Sequence, residues 1–291
     1  MIKRRFVVHC AALLLSSLCL ALSTWALTAP DAAPEEAEMD ACVRLPIVMY
    51  HHISDVEAIW GKYVVSSAEF ERDLLWLREN GYESVRVQDL IAWSEGRFSL
   101  PEKPCIITLD DGYESTGVCA APLLEKYGFT GVVAVIGAVA QQYSEQPDHN
   151  LRYSHLSWEA VAELSRGGVL EVQYHTWDMH TLSPRQGCNR KKGEAESGYR
   201  AALERDMEQF ADACAAYGVK TVPSVAYPFG AYCALTREIV AANGFRAAFT
   251  CTERVNLLTG APEELLELGR FNRPHGVSSA EFFEKWEEEK G

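Results

Sequence analysis

Ile106-Ile107-Thr108-Leu109-Asp110-Asp111-Gly112-Tyr113 is the stretch around which the chain is organised. An apolar, β-branched run leads directly into two adjacent carboxylates and a glycine. The run reads as a buried strand whose last residues emerge at its C-terminal end. In barrels of alternating strands and helices, that end carries the chemistry. Two neighbouring carboxylates repel each other, so a metal, a proton or water has to compensate. A solvated Asp-Gly turn that merely closes a strand would look the same in isolation, so the remainder of the chain decides.

Outward from this strand, helices and strands alternate. Residues 45–50 form a short apolar strand ending in His51-His52. Ser66-x-x-Glu69 is a capping box, and the helix behind it sets Phe70, Leu74 and Leu77 on one face. A short strand at 84–87 and a helix at 88–95 precede the central strand at 105–109. Its helix, 118–127, is stopped by Gly128. The strand at 131–136 has no polar residue, as expected for one covered on both faces. A helix at 158–165 leads to a strand at 169–174 that ends in His175. A Gly-, Lys- and Arg-rich loop, 184–198, precedes a helix at 199–217 whose inward face is Leu203, Met207, Phe210 and Cys214. A strand at 224–227 runs into Pro228-Phe229-Gly230. A helix near 236–242, strands at 246–250 and 265–271, and a helix at 279–287 complete the chain. There is no internal repeat.

Such alternation argues for an α/β protein with parallel strands under covering helices. An open doubly wound sheet is the rival, but no GxGxxG fingerprint follows a strand. Residues 42–291 match the ~250-residue size of a barrel. The expected fold is a distorted (β/α) barrel, TIM-like, with seven or eight strands in a single domain.

The 291 residues are 48% hydrophobic and 23% charged, an ordinary globular composition. A net charge of −14 argues against nucleic acid and anionic membrane surfaces as partners. Lys3, Arg4 and Arg5 precede an apolar run from Phe6 to Leu22, and Ser23-Thr24-Trp25-Ala26 offers small residues for cleavage. Residues 1–26 therefore read as a signal peptide, with an uncleaved membrane anchor as the rival. Residues 27–41, rich in Ala, Pro and Glu, read as a flexible acidic linker, and 42–291 as the folded domain. The expected location is secreted or extracytoplasmic, with a membrane tether through the N-terminal segment if cleavage fails. Nine cysteines include Cys10 and Cys19 in that segment. The seven others allow up to three disulfides outside the cytoplasm. The lack of a CxxC pair argues against a structural zinc-thiolate site.

Three predicted strand ends converge on one rim of such a barrel. They deliver His51, the Asp110-Asp111 pair and His175, with His180 five residues beyond. Two imidazoles and one carboxylate form a divalent-metal site that keeps positions open for water and substrate. Zinc suits that set, and so do other divalent ions. The spacing of His175 and His180 does not fit one helical face, so a loop must bend them together.

These residues carry a resemblance to the polysaccharide deacetylases of carbohydrate esterase family four, over most of 45–271. Thr108-Leu109-Asp110-Asp111-Gly112 resembles the family's Thr-Phe-Asp-Asp-Gly motif, with Leu for Phe. By that match Asp110 is the general base and Asp111 a metal ligand. His175-Thr176-Trp177-Asp178-Met179-His180 resembles the two-histidine motif and implies both imidazole ligands. It carries one residue more than the chitin-deacetylase form and is similar to the biofilm poly-N-acetylglucosamine deacetylases. Those enzymes have circularly permuted motifs and use the histidine of an early Tyr-His, here Tyr50-His51, as the general acid. Tyr227-Pro228-Phe229-Gly230 resembles the third motif, whose backbone is implied as the oxyanion donor. The arginine that usually precedes it is replaced by Ala226. Arg270, near the end of a late strand, could take its place or form a structural salt bridge. His275 is the alternative acid.

The resemblance implies a metal-dependent N-deacetylase with one divalent ion, zinc foremost, acting as a monomer on an N-acetylated glycan polymer. Tyr227, Pro228, Phe229, Trp177 and Arg270 are candidate substrate or oxyanion contacts. Trp177 either stacks on a sugar or packs under the metal loop, and Asp178 either holds a ligand histidine or lies on the surface. The competing function is a non-catalytic glycan-binding member of the same fold, for which the loss at Ala226 speaks. An acid-pair glycosidase ranks last, because adjacent carboxylates on one strand end do not reach the ~5 to 9.5 Å separations its mechanism needs.

Overall fold

The computed structural model describes residues 42–288; the expected signal or anchor segment 1–26 and the linker 27–41 lie outside the described residues. A compact unit spans Val43–Gly291. Its sheet consists of β1 (Ile47–Tyr50), β2 (Glu83–Ser84), β3 (Pro104–Leu109), β4 (Gly131–Val135), β5 (Leu170–Tyr174), β6 (Thr221–Ala226), β7 (Ala247–Phe249) and β8 (Phe271–Asn272). The order is β7-β6-β5-β4-β3-β1-β8, with β2 added beside β3, and every pairing is parallel. Around it lie α1 (Ser67–Glu79), α2 (Val87–Ser94), α3 (Ala121–Tyr127), α4 (Gly137–Glu145), α5 (Trp158–Gly167), α6 (Glu196–Tyr217), α7 (Ala234–Ala242) and α8 (Ser279–Glu288). This is a curled parallel sheet under helices, a distorted TIM-like barrel in one domain, as the alternation of elements predicts.

The central run behaves as its composition requires. Every residue of β3, β4 and β5 is buried, which only a strand covered on both faces tolerates. Ser66 and Glu69 form the reciprocal capping box that starts α1, and Phe70, Leu74 and Leu77 are fully buried beneath it. Gly128, at φ 75°, ends α3 in the left-handed conformation open to glycine.

Residues 268–272 bridge the two edges of the sheet. Leu268 pairs with Phe249, the Leu268 N–H donates to the Ala248 carbonyl at 2.8 Å, and Phe271 then pairs with Val48. The expected strand at 265–271 is therefore shorter than its apolar content implies. Pro262 and two glutamates start a 3-10 helix, Pro262–Glu267, from which Leu265 reaches the core. The strand expected at 84–87 also ends early. The Glu171 carboxylate accepts the Val87 N–H (2.6 Å) and the Gln88 N–H (3.1 Å), which draws the chain into α2. Helix α4 carries no clear periodicity and is absent from the sequence reading. Cys105, Cys119, Cys188, Cys214, Cys233 and Cys251 carry free thiols, so no disulfide joins these six.

Candidate active site

Among the described residues three other than glycine adopt positive φ: Asp111 (71°), Thr176 (70°) and Phe229 (59°). Asp111 and Thr176 follow the ends of β3 and β5, and Phe229 lies just beyond β6. Side chains rarely tolerate this region, and such backbones gather where a site requires them. At β3, the Asp110 N–H still continues the sheet by donating to the Tyr50 carbonyl at 2.9 Å. The left-handed turn at Asp111 and Gly112 then sends the two neighbouring carboxylates to different partners.

Asp110 meets Arg270. The guanidinium donates to both carboxylate oxygens, Nη1 to Oδ1 at 2.7 Å and Nη2 to Oδ2 at 2.9 Å. Its Nε donates to the Thr250 carbonyl at 2.8 Å, and Nη1 also donates to Thr108 Oγ1 at 3.1 Å. Arg270 is fully buried. Its committed donors make it an orienter of Asp110, which corrects its grouping with substrate contacts. Burial pushes the Asp110 carboxyl up, but the charges of Arg270 and His175 outweigh it and hold the group below its ordinary value. The repulsion expected between the two aspartates is thus relieved at Asp110 by an arginine. That arginine arrives from the segment that bridges the sheet, 44 positions after Ala226 in the chain.

Asp111 meets the two imidazoles. Its Oδ1 lies 3.3 Å from His175 Nε2 and 3.3 Å from His180 Nε2, and the three donor atoms lie within 4.8 Å of one another. His175 Nδ1 is tied to the Ala226 carbonyl at 2.7 Å. That bond fixes the ring so that the Nε2 lone pair faces Asp111, the usual support of a metal-binding imidazole. The donor set fits one divalent cation.

The loop between the histidines is held by Asp206, which sequence reasoning missed. Its carboxylate accepts the Trp177 N–H (2.5 Å), the Asp178 N–H (2.9 Å) and the Tyr174 hydroxyl. The only sequence signal is a carboxylate on the buried face of α6 beside Leu203, Met207 and Phe210. Asp178 is exposed and does not hold His175, whose second nitrogen the Ala226 carbonyl takes. Trp177 takes the packing role. Its ring runs parallel to Trp158 at 6.4 Å, and any Cβ on Gly137 would lie 2.4 Å from it. Asp206→Ala would free two backbone N–H groups and loosen this loop. Metal affinity in a chelator competition should then fall roughly 10–100-fold; an unchanged affinity would remove Asp206 from the support of the site.

His51 follows β1, its ring 4.8 Å from that of Tyr63. Burial lowers its pKa, Asp110 and Asp111 pull it up, and Arg270 and His175 push it down, so it shares their electrostatic neighbourhood. His52 points the other way, with Nδ1 2.9 Å from Ser115 Oγ, as strand alternation requires. His275 is engaged elsewhere, with Nδ1 2.8 Å from a Glu69 oxygen and its ring against Trp60. Tyr227 is fully buried and stacks on Tyr232, so its side chain is a core group rather than a substrate contact. Pro228 is buried too, whereas Phe229 is 42% exposed, its ring 4.4 Å from that of His180.

The fold is a distorted TIM-like barrel whose strand ends bring an aspartate and two histidines together in a set that fits one divalent ion. The sequence profile of the polysaccharide deacetylases matches residues 99–248, and the chain belongs to that family. Among its relatives is the poly-beta-1,6-N-acetyl-D-glucosamine N-deacetylase of Escherichia coli K12, 28% identical over 138 residues. That match covers 46% of this chain but only 20% of the relative's length. The Staphylococcus aureus MRSA252 protein of the same name is 24% identical over 193 residues, 66% of this chain and 62% of the relative. IcaB from Ammonifex degensii superposes with a TM-score of 0.64 at 26% identity, over 81% of this chain and 93% of that one. The Streptococcus pyogenes deacetylase PplD shares the fold, with a TM-score of 0.65 at 20% identity over 84% and 99%.

Proposed function

We propose that this protein is a metal-dependent hydrolase that removes N-acetyl groups from an N-acetylglucosamine-containing polysaccharide outside the cytoplasm, acting as a monomer. The observation that carries the reading is the division of labour at the end of β3: Asp110 clamped by buried Arg270, and Asp111 facing two imidazoles. The alanine at 226 would favour a non-catalytic glycan-binding protein if nothing oriented the base, and the Arg270 clamp answers that objection.

Asp111 Oδ1, His175 Nε2 and His180 Nε2 would hold the divalent ion, for which zinc suits the donors. Such an ion supplies Lewis acidity toward the acetyl carbonyl and makes water easier to deprotonate. Asp110, ionised at neutral pH and fixed by Arg270, accepts the proton of the attacking water. The developing oxyanion needs a preorganised donor. Pro228 has no N–H, while the Tyr227 and Gly230 N–H groups donate to the Phe249 and Tyr227 carbonyls. That leaves the N–H of Phe229, held at positive φ, as the donor we assign. His51 protonates the departing amine.

Acetate release from poly-N-acetylglucosamine, peptidoglycan and chitin fragments, with and without chelator, tests the reading. Purified protein should contain close to one divalent ion per chain, and chelation should stop release. His175→Ala or His180→Ala should lose tight binding. Full metal content in both variants would refute the ligand assignment. Burial lowers the His175 imidazole, but the Asp111 hydrogen bond and the Asp110 and Asp111 charges raise it overall. Protons compete with metal for that nitrogen, so affinity should weaken as pH falls through the raised value.

The basic and apolar N-terminal segment supports export. Among the described residues no helix is long and apolar enough to cross a membrane, so any tether would come from that segment. N-terminal sequencing of exported protein should find a start near Ala26 or an intact anchor; full-length protein in the cytosol would contradict both.

A further inference from the structure

His51 lacks the support that fixes His175. The Ala226 carbonyl takes Nδ1 of His175, whereas Nδ1 of His51 is buried with no hydrogen-bond partner among the described residues. An imidazole is commonly oriented by the bond its second nitrogen makes. The set of His51 must therefore come from the rings packed on it and from the backbone that carries it. Both lead to one segment of the chain.

The residue before His51 is Tyr50, which alternation turns toward the helices, its ring edge-on to Phe70 at 4.9 Å. The Tyr50 hydroxyl donates to Asp73 Oδ2 at 2.8 Å. That oxygen also accepts from Arg273 Nε at 2.8 Å, and Asp73 Oδ1 accepts from Arg273 Nη2 at 3.1 Å and from Ser279 Oγ at 2.6 Å. Tyr50, Asp73 and Arg273 are all buried. The backbone N–H of Arg273 donates to the Met49 carbonyl at 3.0 Å, so the same residue grips β1 twice, once by its main chain and once through Asp73. A second route runs through Tyr63, whose ring lies 4.8 Å from that of His51. The Tyr63 carbonyl accepts the His52 N–H at 3.1 Å, and the Lys62 carbonyl beside it accepts from Asn272 Nδ2 at 2.9 Å. A buried ion pair is weak evidence for stability, because desolvation offsets the attraction. What Asp73 and Arg273 fix is the place of a hydroxyl one residue from His51.

We infer that Asp73 and Arg273, acting through Tyr50, and Asn272, acting through the Tyr63 loop, are positioning residues for His51. Residues 270–273 then set both partners of the reaction. Arg270 holds the base Asp110 directly, and the next residues along hold the strand end and the ring that place the acid. One short segment thereby keeps the spacing between base and acid across the substrate. The roles of acid and base rest on the deacetylase reading; the dependence of the His51 ring position on Tyr50 and Asn272 does not.

Tyr50→Phe in the full-length, metal-loaded protein is the test. It removes the hydroxyl, keeps the ring, and leaves Asp73 paired with Arg273 and Ser279. Metal content should be unchanged. Acetate release from an N-acetylglucosamine oligomer should fall roughly 10- to 10²-fold, the scale for a reacting group misplaced by about 1 Å. Hydrolysis of an acetyl ester with a good leaving group, which needs no proton from His51, should be nearly unchanged. A purely structural loss would lower both reactions together. Asn272→Ala should show the same selective loss through the Tyr63 loop, and serves if Tyr50→Phe does not fold. Tyr82→Phe, which removes a hydroxyl that donates to Glu287 Oε1 at 2.7 Å, is the control and should alter neither reaction. Crystal structures of the variants should show the His51 ring displaced. Equal losses on amide and ester, full activity on both in the two variants, or an undisplaced ring would overturn the proposal. If the unsubstituted protein released no acetate from either substrate while the ring still moved in the variants, the deacetylase reading alone would fail.

Discussion

Asp110→Asn should lower acetate release from an N-acetylated glycan by roughly 10²–10⁴-fold, the range for loss of a general base, while metal content stays near that of the unsubstituted protein. The amide keeps the shape of the carboxylate and can still accept one hydrogen bond from Arg270, but it cannot take a proton at neutral pH. Asp111, not Asp110, faces His175 and His180, so the donor set survives the change. Arg270→Met tests the same base from the other side. Burial raises Asp110 and Arg270 is the first of the charges that offset it, so removing the guanidinium shifts the balance upward. The acidic limb of the pH–rate profile should then move to higher pH. Breaking a buried pair costs roughly 3–5 kcal/mol of stability, so the limb is read on the folded fraction by normalising to metal content. Activity that survives Asp110→Asn would mean that another base operates.

His51→Ala should keep the metal and lose most turnover on an N-acetyl substrate, again by roughly 10²–10⁴-fold. Amide hydrolysis stalls when the amine departs unprotonated, and an imidazole titrates in the range needed to supply the proton. An acetyl ester with a good leaving group needs no such proton, so its hydrolysis should suffer far less. The alkaline limb of the profile should disappear with His51. In Asp110→Asn protein the residual activity should show that limb at lower pH, because Asp110 is one of the charges that raise His51 against burial. Equal losses on amide and ester would exclude His51 as the acid. His275 offers a poor substitute, since Glu69 and Trp60 already hold it.

Much of the architecture was legible because it depends on local pattern. Runs rich in Ile and Val mark β3 and β4 as strands covered on both faces, and both are buried throughout, as is β5 despite its Glu171 and Gln173. The Ser66–Glu69 box and Gly128 mark helix ends whose hydrogen bonds span three or four residues. Strand alternation separates His51 from His52. Elements set by distant partners were not legible. The strand expected at 84–87 gives way to α2 because Glu171, 84 positions from Val87, accepts its N–H. The short α4 begins at Gly137, which is small because Trp177 lies against it.

The sequence by itself determined the parallel α/β architecture and the strand ends that carry Asp110, Asp111 and His175, which follow from periodicity and from spacing within a few residues. The grouping of His180 with His175 in one motif is what the resemblance to the polysaccharide deacetylases implied. Only the tertiary structure decided that Asp110 pairs with Arg270, 160 positions away in the chain, and that Asp206 holds the histidine loop. It also decided that Tyr227 and Trp177 are packing groups. The physical reason is that a carboxylate is neutralised by whatever charge the fold brings within about 3 Å, and no periodicity in the sequence encodes that approach. A segment that bridges the edges of a curled sheet can deliver an arginine as well as a strand end can, and Arg270 reaches Asp110 in a chain that has alanine at 226.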